Sequence, residues 1–462
     1  MPTSAPARWT RLLLKSLGPG IITGAADDDP SGIATYSVAG AQFGTNLLWT
    51  ALLTWPLMAA VQMMCARIGK VTGQGLAGNF NRRFPGWLLR VFIVALLVAN
   101  TINIAADLAG MADAAEMLSG INSHFCVVVF ALLISWATVR LQYHQIANVL
   151  KWLVLVLFAY PITALVAGAD WGRVMRDTLV PAMPHSREEW SMLVAILGTT
   201  ISPYLFFWQA SEEVEEEKSA GQNTLAKRRG ATLKELELRN IDVGVGAFFS
   251  NMVMFFIILT TAITLNRHGI NHIETTRQAA EALRPFAGKF AATLFTIGIV
   301  GVGFLAIPTL AGSAAYAFAE TLGWRQGLNK KLKQARWFYG LILFSTGVGV
   351  GLDFAHVNPV KALYWTAVIN GLLAPFLLVA ILIVALDKKL MQGQPSSRLG
   401  WTVVAITTVA MFAAGIAMFV VKTDAPASVV PHVKDTRVHF LELCSLDQPR
   451  DSFRGYALSV GR

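Results

Sequence analysis

The chain has 462 residues, 54% of them hydrophobic and only 14% charged, with a formal net charge of +10. A water-soluble domain carries about 25% charged residues, so this much apolar surface in so long a chain excludes a soluble globule and points to an all-α polytopic membrane protein. In a soluble protein a charge of +10 would raise the question of nucleic acid; here the positive residues sit in short loops between apolar runs, so the lipid bilayer is the expected partner and nucleic acid is not.

A helix crosses a bilayer with about 20 apolar residues, and on that criterion about eleven spans are predicted. They lie at roughly 17–43, 47–68, 88–116, 124–142, 148–168, 191–211, 242–266, 290–321, 335–353, 360–386 and 401–422. The first apolar stretch runs on through Pro30 to about Phe43, too long for the core of a cleavable signal peptide. Cys65, Cys126 and Cys444 have no paired spacing, so no disulfide framework is expected. Arg8, Arg11 and Lys15 precede span one, and further positive clusters follow spans two, four, six, eight and ten. With this count all six fall on one side, which the positive-inside rule makes the cytoplasm. Residues 1–16 are then cytoplasmic, and the polar tail 423–462, to which no fold is assigned, is extracytoplasmic. A bacterial inner membrane is the expected location. The oligomeric state is left open, and a monomer is compatible with the pattern. The acidic run Glu212–Glu217 at the end of span six is read as a solvated loop rather than a cation trap.

Ionisable residues at membrane depth are costly and mark function. Span one carries Asp27, Asp28 and Asp29, followed by Pro30, Ser31 and Gly32. Proline removes a backbone hydrogen bond and glycine weakens a helix, so an unwound break lining a watery cavity is expected here. The competing reading starts span one after Gly32 and leaves the acids in a solvated loop. The apolar run 12–26 argues against that. Carboxylates with freed carbonyls form a hard-oxygen site suited to Mg²⁺, Ca²⁺ or Mn²⁺. Span six is interrupted by Gly198, Thr199, Thr200, Ser202 and Pro203. Alone this would be an ordinary proline kink. Spans one and six are, however, the corresponding members of two five-span halves, 17–168 and 191–386, with 401–422 as an eleventh helix. Interrupted helices at matching positions in two inverted halves point to a transporter site.

At these residues the sequence resembles the Nramp family of divalent metal transporters, which have the LeuT-type fold. Leu17-Gly-Pro-Gly, Asp29-Pro30-Ser31-Gly32 and Ala39-Gly-Ala-Gln-Phe-Gly resemble the family's first helix, where the hallmark is Asp-Pro-Gly-Asn. Ala66-Arg-Ile-Gly-Lys-Val-Thr-Gly resembles the second helix, Ala106-Asp107-Leu108-Ala109 the third and Thr309-Leu-Ala-Gly the eighth. The resemblance covers roughly 17–390. It implies about eleven helices, two inverted five-helix repeats and broken helices 1 and 6. It also implies that Asp29 is the metal-binding aspartate, with Asp28 raising the local field. Gly32 stands where the hallmark asparagine would be. Ser202-Pro203-Tyr204 stands where the family has Met-Pro-His on helix six. Thr199 and Ala26 match positions whose backbone carbonyls face the ion, and Asn370 lies near a polar position of helix ten.

The departures imply a substrate. Without the soft methionine sulfur, the site suits a hydrated Mg²⁺, which keeps several waters. In this it resembles the Nramp-related magnesium transporters, a divergent branch. Mn²⁺ is the second expected substrate, and no cofactor is expected. The family's proton relay is also thinned. Tyr204 and Gln209 replace histidines of helix six, and Asn100 and Gly110 replace glutamates of helix three. Asp107 alone is kept. Uncoupled transport is therefore expected, with a different relay through Asp27, Asp28 and Asp107 as the alternative. Rival readings are a proton-coupled Mn²⁺/Fe²⁺ importer of the conventional type and, more remotely, an organic-solute symporter of LeuT type. No HExxH, GxSxG or intramembrane Ser/His pair points to an enzyme.

Overall fold

A computed structural model of the chain describes residues 23–24, 26–141, 155–355 and 357–421. The expected terminal segments 1–16 and 423–462, and the beginnings of spans one and five, lie outside these residues. No β-strand occurs among the described residues. The α-helices of eight residues or more are α1 (Pro30–Phe43), α2 (Trp49–Thr72), α3 (Leu76–Arg83), α4 (Gly86–Ser119), α5 (Ser123–Arg140), α6 (Ala159–Val166) and α7 (Trp171–Leu179). They continue with α8 (Arg187–Thr200), α9 (Pro203–Ser219), α10 (Leu233–Thr264), α11 (Ala291–Leu322), α12 (Arg336–Asp353), α13 (Pro359–Leu386) and α14 (Arg398–Val420).

Eight helical stretches among the described residues are long and apolar enough to cross a bilayer, with α8 and α9 counted together. The helix α12 coincides with span nine, α1 with the second half of span one, and α6 with the end of span five. Their ends follow the sequence. Ser186 caps α8 by accepting from the Glu189 amide, and Thr232 with Glu235 forms a capping box on α10. Outward-facing Leu132, Trp136, Val409 and Phe419 are exposed, as residues facing lipid tails would be.

The long helix α4 packs against α11, α12 and α13, while α9 lies on α2, and α10 contacts both α1 and α2. The broken helices sit inside this frame, with α1 on α10 and α13, and α8 along α13. Glycine permits the closest approaches. A Cβ on Gly198 would fall 2.0 Å from the Ala367 carbonyl oxygen, so α8 and α13 touch backbone to backbone. A Cβ on Gly24 would fall 2.4 Å from the Gly246 carbonyl oxygen of α10. Small residues at helix contacts are the usual means of close packing in lipid.

Gly198→Val is therefore expected to destabilise the protein by about 3 kcal/mol or more, as overpacking does. The readout is the thermal unfolding midpoint of the purified protein in detergent. An unchanged midpoint would show that α8 and α13 can separate without cost.

Candidate metal site

Both expected breaks are present. Thr23, Gly24, Ala26 and Asp27 are helical, the chain leaves the helix at Asp28 and Asp29, and α1 begins at Pro30. The local cause is a helix-start signal inside an apolar run. Asp29 is extended (φ −69°, ψ 170°) and caps α1, its Oδ1 accepting from the Gly32 amide at 2.7 Å. Pro30, which has no N–H to satisfy, fills the first helical position. The acids are buried, so they do not lie in a solvated loop. In span six the helix stops at Thr200 and restarts at Pro203, leaving Ile201 and Ser202 non-helical. That is a break rather than a kink. The Ser202 hydroxyl turns back on the last carbonyls of α8, 2.7 Å from Gly198 O and 2.6 Å from Thr199 O.

Tyr204 joins the two breaks. Its hydroxyl donates to the Ala26 carbonyl at 2.9 Å and lies 3.4 Å from Asp29 Oδ2. Asn103 on α4 donates its amide to the same carboxylate oxygen at 3.2 Å. A second tie runs from Thr199 Oγ1 to the Tyr36 hydroxyl of α1 at 2.9 Å. Asp29, Ala26, Gly32 and Tyr204 are thus held in one hydrogen-bonded group, and Thr199 with Ser202 forms the other lip.

The neighbouring acids point elsewhere. Ser250 of α10 lies 2.5 Å from Asp27 Oδ2 and 3.3 Å from Asp28 Oδ1, so one hydroxyl serves two carboxylates. Asp27 Oδ1 and Asp28 Oδ2 have no hydrogen-bond partner among the described residues. Asp107, one helical turn beyond Asn103, is buried near Asp29 and faces the Ser31 amide at the start of α1. Of the other expected residues, Asn100 donates to Leu310 O and Ser313 Oγ of α11, both at 2.8 Å. Gln209 accepts from Thr23 at 2.7 Å and donates to Glu213 at 3.0 Å. Asn370 is buried on α13, and among the described residues its Oδ1 has no hydrogen-bond partner and it makes no bond to the Asp29 group. Among the described residues, no three His, Cys, Asp or Glu side chains converge on a shared metal position.

The acidic run corrects the expectation made for it. It is the last part of α9, and Glu212, Glu213, Glu215 and Glu217 are buried. Cations from neighbouring segments pair with part of it. Arg239 lies 2.8 Å from Glu213 and 2.8 Å from Asp242, and also pairs with Glu216; Lys70 stands 3.6 Å from Glu217. Those partners are distant in sequence, so the run alone looked solvated. Asn103 and Ser250 were also missed. Asn103 was findable, because it lies four residues before Asp107 and shares its helical face. Ser250 had only the weak signal of a polar residue in an apolar run.

The family profile described as "Natural resistance-associated macrophage protein-like", Nramp, matches residues 20–421. The chain belongs to the Nramp family. It is similar to the Divalent metal cation transporter MntH of Caldanaerobacter subterraneus subsp. tengcongensis, with 26% identity over 400 residues, covering 82% of this chain and 86% of that relative. It is also similar to the MntH of Yersinia enterocolitica, with 28% identity over 319 residues, covering 66% of this chain and 73% of the relative. Its fold is similar to that of the Eremococcus coleocola manganese transporter, with TM-score 0.68 and 18% identity over 90% of this chain and 89% of that one. MhsT in complex with L-phenylalanine is a more distant neighbour, with TM-score 0.52 and 14% identity over 87% and 97% of the two chains. These likenesses establish the LeuT-type fold expected from the sequence. Nramp membership makes the chain a multi-pass membrane transporter and not an enzyme.

Ser250→Ala leaves two adjacent buried carboxylates of this Nramp protein without their shared donor. Loss of a buried partner costs about 1–3 kcal/mol. The thermal midpoint is expected to fall accordingly, and Ser250→Thr to recover most of the loss. Equal midpoints for wild type and Ser250→Ala would remove the hydroxyl from the account.

Proposed function

We propose that this chain carries divalent metal cations across its membrane. Mg²⁺ is the principal cargo and Mn²⁺ the second, each moving as a largely hydrated ion without proton coupling. The supporting observation is the convergence of the Asp29 carboxylate, the Ala26 carbonyl and the Tyr204 hydroxyl at the meeting of the two breaks. All three are hard oxygen donors, and hard donors suit Mg²⁺ and Mn²⁺. A lone carboxylate with neutral oxygens leaves the ion to keep part of its water shell, as Mg²⁺ prefers. Ser202, Thr199, Gly32 and Asn370 are assigned to the ion or its waters, with Asp28 adding field from the Ser250 side. The ion is cargo, and no cofactor takes part.

In the proposed cycle the ion enters between the broken helices and Asp29 holds it by charge. Rocking of one part of the molecule against the other then exposes it to the opposite face. We place the N-terminus in the cytoplasm of a bacterial inner membrane, from the distribution of Lys and Arg. The repeats are assigned to 17–168 and 191–386. Absence of coupling is supported by two relay positions committed to structural bonds: Asn100 to α11, and Gln209 between Thr23 and Glu213. A second reading, proton-coupled import of Mn²⁺ or Fe²⁺, draws on Asp107, the one acid of the family's relay that is kept, which is buried near Asp29.

Reconstituted protein, with a Mg²⁺ indicator and a pH dye inside the liposomes, separates the two. Mg²⁺ entry without acidification is expected; entry of Mn²⁺ alone with acidification would establish the second reading. Asp29→Ala is expected to abolish uptake, and a variant that still transports would overturn the assignment of Asp29. Ser202→Met is expected to shift preference toward soft ions such as Cd²⁺. Unchanged selectivity would mean that position 202 does not face the ion.

A further inference from the structure

A groove of about 650 Å³ lies between α2, α10 and α14. Its volume is that of a small-molecule pocket. It has two unlike ends. Trp55 and Phe248 form one end, packed edge to face with centroids 5.2 Å apart. Met63 and Val403 continue the apolar wall. Arg67 and Ser397 form the other end. Twelve residues of helix separate Trp55 from Arg67, about 18 Å at 1.5 Å per residue. That is slightly more than half of an about 30 Å hydrocarbon core, the depth of one leaflet.

The polar end is built for an anion. The Arg67 Nε donates to the Gln394 carbonyl at 3.3 Å, and no carboxylate lies within ion-pairing distance of Arg67 among the described residues. The helix α14 starts at the same end, with Ser397 as its cap and Leu399 and Gly400 lining the groove. The first-turn amides of a helix and its positive dipole end favour phosphate. A guanidinium adds charge-assisted hydrogen bonds to phosphate oxygens. Apolar walls one leaflet deep, ending in an unpaired arginine and a helix start, match one class of molecule.

We propose that this groove binds a single anionic phospholipid. Its phosphate lies at Arg67 and the start of α14, and an acyl chain runs along α2 and α10 toward Trp55 and Phe248. The lipid comes from the leaflet at the Arg67 end. The site is separate from Asp29 and Tyr204, so it does not depend on which ion the protein carries.

Gly244 of α10 lines the groove midway, and a Cβ there would meet only the flexible end of Met63, at 3.2 Å. Gly244→Leu therefore fills the groove with little disturbance to the helix packing. The full-length protein is purified in mild detergent and titrated with phosphatidylglycerol, or with phosphatidylcholine of the same chains, and bound lipids are counted by native mass spectrometry. Wild type is expected to hold one phosphatidylglycerol about tenfold more tightly than phosphatidylcholine, the equivalent of one charge-assisted hydrogen bond. Arg67→Gln is expected to remove the preference while keeping apolar binding, and Gly244→Leu to remove the tight lipid altogether. No headgroup preference in wild type would overturn the proposal. So would undiminished phosphatidylglycerol binding by Gly244→Leu. A third overturning result is a shift from dimer to monomer in Gly244→Leu with lipid binding unchanged, because it would assign the groove to a second copy of the chain.

Discussion

The whole arrangement depends on one constraint: a carboxylate and unwound backbone held at membrane depth must be satisfied by the protein itself. Lipid offers no hydrogen bonds, so each break survives only where other helices supply partners. Asp29 meets this by serving the helix it interrupts. Its Oδ1 takes the Gly32 amide, which α1 would otherwise leave unbonded, and its Oδ2 takes Asn103 and lies within reach of Tyr204. Ser202 does the corresponding work at the other break, covering carbonyls that the end of α8 frees. Each broken end is therefore closed locally, and Tyr204 closes the gap between them.

Close backbone contact makes the local solution a global one. Gly198 lets α8 lie against Ala367 and Gly371, and Gly24 lets the helical segment before the first break lie against Gly246. The same α10 that receives Gly24 brings Ser250 to Asp27 and Asp28. Three consecutive aspartates thus have divided duties. Asp29 looks toward α4 and α9, while Asp27 and Asp28 look toward α10. An unwound segment makes this possible, since its neighbours are free of the fixed 100° step of a helix.

Much of the fold was legible because apolar length is a strong signal. The expected spans all find helices wherever the structure describes them, and the Asp-Pro-Ser-Gly and Ser-Pro interruptions were visible as breaks. Asp29, Ala26 and Tyr204 were singled out through the resemblance, and the structure brings these three together; their partners were less visible. Asn103 and Ser250 act from other helices, and only the assembled bundle brings them in. The acidic end of α9 was misread for the same reason in reverse. Six residues rich in glutamate look solvated until Arg239 and Lys70 arrive from segments far along the chain. Local pattern reports what a segment is; it does not report which opposite charges will meet it.

The double duty of Asp29 narrows the routes by which this position can change. A residue there begins a helix and, under the proposed function, also presents charge. Asparagine, serine and threonine keep the first property and lose the second; glutamate keeps the charge but is too long to close the tight turn onto the Gly32 amide. On the proposed reading, replacement by asparagine, serine or threonine would give a well-folded carrier that lacks the charge. Loss of transport by that route would be silent to every measure of protein abundance.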